Sequence, residues 1–136
     1  MRVVVDANVL LAALLKNSAT RELIQHAPLE MYAPAWLWNE TARNMPALAK
    51  RSGVQQAVLT TLSDRLLQRI QPVPEAALAT HAREALRRCR KSGVRDAPYV
   101  ACCLTVDAAL WSHDRRLLDE AGVKTVGTHE LIKRFQ

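Results

Sequence analysis

The chain has 136 residues, 49% of them apolar and 24% charged, with a mean hydropathy of −0.09. That profile excludes disordered and fibrous chains, and no apolar run approaches the roughly 18 residues that a membrane span needs. Nineteen Lys and Arg against 13 Asp and Glu give a formal charge of +6, which leans toward a polyanionic partner.

Residues 1–5 form a β-branched run that stops at Asp6 and reads as a buried parallel strand. Residues 8–15 read as a short apolar helix, with Lys16, Asn17 and Ser18 as its stop, and 20–26 as a second helix ending before Pro28. Residues 30–33 make a short strand. Pro34 is expected in the first turn of the next helix, which carries Trp36, Leu37 and Glu40. Ser52, Gly53, Val54 and Gln55 have the spacing of a capping box. Behind them Val54, Val58, Leu62 and Leu66 recur every fourth residue, joined by Leu59 and Ile70, and predict an amphipathic helix. Residues 71–73 make a poor strand, which Pro72 assigns to a sheet edge. Pro74 opens a helix whose expected buried stripe is Leu78, Ala82, Ala85, Leu86 and Cys89. Gly93 breaks the chain, Asp96 reads as the N-cap of an apolar helix over Ala97–Val106, and Pro98 lies in its first turn. A strand over 109–112 ends at His113 and Asp114, a short helix runs from Arg115 to Gly122, 123–126 is a strand, and Thr128 caps a final helix. With no repeat or linker, one domain is expected over residues 1–136. Helices alternating with apolar strands predict an α/β fold, a parallel sheet covered on both faces.

That topology directs acids to one place. In an open parallel sheet, sites form at the carboxyl ends of the strands. Asp6 closes the first strand and Asp114 follows the strand over 109–112. A helix feeding a parallel strand begins at the same edge, so Asp96 belongs there, as does Glu40 in the helix leaving residues 30–33. Each has a plainer reading: Asp6 begins a turn, Asp96 and Asp114 cap helices, and Glu40 is solvated one turn after a core Trp36. Together, four carboxylates at one rim repel unless cations neutralise them. No His or Cys joins them at ligand spacing, so the expected cation is hard, Mg²⁺ or Mn²⁺. His113 reads as a spectator.

The segments VVVDANVL over 3–10, Glu40, RDAPYVA over 95–101 and LWSHD over 110–114 resemble the four motif blocks of the PIN-domain ribonucleases. Spacing and total length match, and the resemblance covers essentially the whole chain. Within that family the chain is similar to the small VapC-like toxins of toxin–antitoxin modules. The resemblance implies a three-layer α/β/α sandwich with about five strands in the order 3-2-1-4-5. It also implies Mg²⁺- or Mn²⁺-dependent endoribonuclease activity, a homodimer and a cognate antitoxin. Asp6, Glu40, Asp96 and Asp114 match its catalytic, metal-binding acids, and Asn8 and Ser112 match the small polar positions beside them. His113 departs from the pattern, which commonly has a small or amide residue there. Metals held by carboxylates orient a water, lower its pKa and stabilise charge on a scissile phosphodiester; Asn8 and Ser112 would hold that water or a carboxylate by hydrogen bonds.

Other nucleotide chemistries lack their motifs. No GxGxxG follows the first strand, no P-loop is present, and no G-x-S-x-G elbow supports Ser-His-Asp hydrolysis. Arg83, Arg87, Arg88, Arg90, Lys91 and Arg95 crowd the segment before Asp96, opposed only by Glu84. They read either as an RNA-binding rim or as a solvated helix end. Aromatic residues make up only 4% and are not interleaved with these arginines, which disfavours a base-stacking platform. Cys89, Cys102 and Cys103 are unpatterned, and the N-terminus lacks a signal-peptide layout; a cytoplasmic chain with reduced thiols is expected. The alternatives to a toxin are a stand-alone RNA-processing nuclease and a non-catalytic RNA-binding module.

Overall fold

Val3 and Val5 face one side of a sheet and Val4 the other, and this period-two alternation divides the core into two halves. The computed structural model describes residues 1–16 and 18–135. The expected stop at Asn17 and the expected domain end at Gln136 therefore lie outside the described residues. Five parallel strands run in the order β3-β2-β1-β4-β5: β1 (Arg2–Val5), β2 (Glu30–Pro34), β3 (Ile70–Val73), β4 (Ala109–Trp111) and β5 (Thr125–Val126). One face packs on α1 (Ala7–Leu15), α2 (Ser18–His26), α4 (Gln56–Leu67) and α9 (Thr128–Phe135), through Val9, Leu23, Leu66 and Leu131. The other packs on α5 (Glu75–Leu78), α6 (Ala82–Arg88), α7 (Ala97–Val106) and α8 (Arg116–Glu120), through Leu78, Ala85, Val100 and Leu118. This is the expected three-layer α/β/α sandwich.

Local expectations fail where a competing rule wins. Pro34 is not in a helix; it ends β2 in register with Val73, and α3 (Trp36–Ser52) starts two residues later. The capping box does not form, because Gly53 takes a left-handed conformation (φ 73°) and closes α3 with its N–H on Ala49 O. The helix α4 begins only at Gln56, without a side-chain cap. Its period-four stripe is not the buried face: Val54 and Val58 are exposed, while Leu59, Ser63, Leu66 and Leu67 face inward. A spacing of four drifts by about 40° per step against a 3.6-residue turn, so the three steps from Val54 to Leu66 turn by about 120° and cannot share one face. The helix expected from Pro74 is broken by a 3-10 turn over Ala79–His81, and Ala82 and Leu86 are exposed. β4 and β5 are shorter than expected, and Thr128 is the first residue of α9 rather than its cap. Its hydroxyl instead accepts from Trp111 Nε1 at 3.1 Å and meets His113 Nε2 at 3.1 Å.

Candidate active site

The carboxyl ends of β1, β2 and β4 and the start of α7 share one edge, and each delivers an acid there. Asp6 directly follows β1 and caps α1. Its backbone is extended (φ −84°, ψ 166°) and its Oδ1 accepts from the Val9 N–H at 2.9 Å. Only 9% of Asp6 is exposed. Burial raises its pKa; the Val9 N–H, the Ser112 hydroxyl and His113 pull it back, and the neighbouring Asp96 carboxylate pushes it further up.

Asp96 ends a 3-10 turn (Val94–Asp96) and holds the N-cap position of α7, with Pro98 in the first turn as expected. Yet its side chain caps nothing. Side-chain capping needs an extended N-cap backbone, and Asp96 is helical (φ −77°, ψ −19°). Asp114 is exposed and does not cap α8, whose N-cap is Arg115. Its backbone N–H donates to Ser112 Oγ at 3.3 Å, which ties this loop to the residue beside Asp6. Glu40 is ion-paired with Arg43 and accepts from Asn44 Nδ2 at 3.4 Å. Asn8 is exposed on the first turn of α1 and lines a cleft of about 590 Å³ with Leu11, Leu15, Lys16 and Arg51.

The charges of Asp6, Glu40 and Asp96 all bear on a residue to which sequence reasoning gave no role, Tyr99. Burial, then Asp6, Glu40 and Asp96, all disfavour its ionisation. Its hydroxyl is buried with no hydrogen-bond partner among the described residues. The ring stands edge-on to Trp36, centroids 5.6 Å apart. Trp36 is not the expected core residue; at the start of α3 it is 37% exposed. The one sequence signal for Tyr99 was a hydroxyl in the first turn of an otherwise apolar stretch, three residues after Asp96.

A family model described as PIN domain matches residues 4–136, and so spans all four acids. The chain belongs to the PIN-domain family. PIN domains are in general nucleases that act on nucleic acid with divalent metal ions. No curated protein matches this PIN domain. Among the described residues, no helix is long and apolar enough to cross a membrane.

The donor set of this PIN domain fits a hard divalent cation. It offers only oxygens, and Asp6, Asp96 and Asp114 have no ion-pair partner among the described residues of a chain with formal charge +6. As the side chains stand, no three His, Cys, Asp or Glu among the described residues are grouped to hold an ion. The Asp6 and Asp96 charges act on each other, Glu40 is ion-paired with Arg43, and Asp114 is exposed.

The basic cluster is divided. Arg87 and Arg88 both donate to Glu84, whose carboxyl they hold down to about 2, and Arg88 also reaches Gly122 O at 3.4 Å. Arg90, Lys91 and Arg95 are exposed, with no ion pair among the described residues. Arg87, Arg88, Arg90 and Lys91 line a groove of about 550 Å³ beside Leu117 and Glu120 of α8. The three cysteines are free and buried, and burial raises the Cys102 thiol to about 12.

Proposed function

We propose that the protein is a Mg²⁺- or Mn²⁺-dependent endoribonuclease and the VapC-like toxin of a toxin–antitoxin pair, acting as a homodimer. The observation that carries the reading is the pair Asp6 and Asp96: Asp6 is buried, the Asp96 charge opposes its ionisation, and neither has an ion-pair partner among the described residues. Such repulsion lowers stability unless a ligand relieves it. Asp6 and Asp96, joined by Asp114 and Glu40, would hold the ion. Bound there, a divalent cation supplies an activated water and a counter-charge for the scissile phosphodiester. Ser112 links the Asp6 carboxylate to the Asp114 loop and so sets how those two acids face each other. Asn8, exposed in the first turn of α1, is available to a water or to the RNA strand. Arg90, Lys91 and Arg95 offer phosphate contacts, and Arg87 and Arg88 line the same groove as Arg90 and Lys91.

An open site of this kind cleaves RNA wherever the strand reaches it, so a cell carrying it needs restraint from a second chain. An antitoxin segment lying across the rim with an Arg or Lys on Asp6 and Asp96 would relieve the same repulsion as the metal, and the exposed Trp36 would anchor it. Expression of the protein alone is expected to slow growth, Asp114→Ala to abolish that effect, and the neighbouring gene to relieve it. A wild-type protein that is harmless at high expression, with its RNase activity verified, is instead a processing nuclease. One that binds RNA in Mn²⁺ without cutting it is a binding module.

A further inference from the structure

Tyr99 is the third residue of α7, 6% exposed, with its hydroxyl withdrawn from water and unpartnered among the described residues. A phenylalanine would fill the same space without burying a polar group. Buried donors without acceptors are rare in folded proteins, and each has a reason. The groups of this chain that bear on the phenol are the Asp6, Glu40 and Asp96 carboxylates and the Ala7 N–H, which approaches it without completing a hydrogen bond. An N–H cannot take the phenolic proton; a carboxylate can. Of the three acids Asp6 acts on Tyr99 most strongly. It is also fixed at the end of β1, with Oδ1 on the Val9 N–H and the carboxylate within reach of the Ser112 hydroxyl.

We propose that Tyr99 is a positioning residue of the acidic site, its O–H donating to the Asp6 carboxylate once a divalent cation draws Asp6 and Asp96 together. The inference rests on the metal-site reading above. Donors behind metal ligands fix ligand orientation, and their loss typically weakens binding by about 10- to 100-fold.

The test uses Mn²⁺ alone as the probe. Chelator-stripped full chain is titrated with Mn²⁺, and the free ion is read from its EPR signal for wild type, Tyr99→Phe and Asp6→Asn. Tyr99→Phe is expected to bind Mn²⁺ about tenfold more weakly than wild type. Its metal-free form is expected to melt at or above wild type, since the change removes a buried hydroxyl that has no partner. At saturating Mn²⁺ it should recover wild-type turnover, because the hydroxyl acts through Asp6. Affinity within about twofold of wild type, a lower metal-free melting temperature, or turnover that stays low at saturation would each overturn the proposal. Wild-type protein that takes up no Mn²⁺ overturns the metal-site reading and this inference together. Wild-type binding with an unaffected Tyr99→Phe overturns this inference alone.

Discussion

Asp6 does two jobs that pull in opposite directions. As a helix cap it accepts the Val9 N–H, and as a buried acid beside Asp96 its charge is disfavoured. The folded protein therefore holds the Asp6 proton more tightly than the unfolded chain, whose value is 3.8. Stability falls as pH rises from that value through the folded one, and at neutral pH the ionised group is fully unfavourable. Asp6→Asn keeps the cap acceptor and removes the charge. In chelator at neutral pH it should melt above wild type, and the advantage should fade as pH falls toward 3.8; equal melting at neutral pH would contradict the cost of burying this charge. Asp6→Ala also loses the cap, at about 1 kcal/mol. Asp96 differs, because no cap bond is lost. Metal-free Asp96→Ala should stay within about 0.5 kcal/mol of wild type in denaturant unfolding, and a loss of about 1 kcal/mol or more would restore the capping role. Both carboxylates were legible in the sequence as acids closing a strand and preceding a helix. Tyr99 was not, since its neighbours come from the packing of α3, β1 and α7 on one another.

The elements show where pattern reading succeeds and where it stops. The β1 run, the edge assignment of β3 and Pro98 in the first turn of α7 follow from chemistry local to each segment. Two signals overlap ahead of α4: a serine at capping spacing and a glycine that closes the preceding helix. The glycine prevailed. Leu67, outside the period-four series, is 7% exposed and Val58, within it, is 54% exposed, so their Ala variants separate the two stripes. Leu67→Ala should cost about 2–5 kcal/mol in chemical denaturation. Val58→Ala should change stability by less than about 0.5 kcal/mol. Pro74 and the stripe from Leu78 to Cys89 predict one helix, but the turn at Ala79–His81 resets the helical phase and leaves Leu86 outside. The same segment carries the arginines, and local pairing ranks them. Replacing Arg90, Lys91 and Arg95 with Ala should lower the slope of log K for single-stranded RNA against log salt by about 0.7 per lost phosphate contact. Replacing Arg87 and Arg88, already bound to Glu84, should lower it less. An unchanged slope in the triple variant would make the cluster a solvated helix end.

At the scale of the molecule, strand order does what no single residue can. Placing β1 between β2 and β4 brings the loops after all three strands to one edge, so residues as far apart in sequence as Asp6 and Asp96 become neighbours. The arrangement is legible in the sequence because parallel connectivity fixes the edge at which each acid emerges. How far each side chain turns inward is not, which is why Glu40 stands with Arg43 and Asp114 in solvent. A cation bound only by the native state should raise the melting temperature, by the equivalent of about 2.7 kcal/mol at a hundredfold excess over Kd. The central claim, a nuclease whose paired carboxylates act through a divalent ion, is tested most directly by cleavage of single-stranded RNA. Chelator-stripped wild type and Asp96→Ala, matched by their melting curves, are assayed before and after Mn²⁺ is restored. The expected result is no cleavage by either stripped protein, and cleavage by wild type alone once Mn²⁺ returns. Cleavage by the stripped wild type, or wild-type turnover by Asp96→Ala, would contradict it.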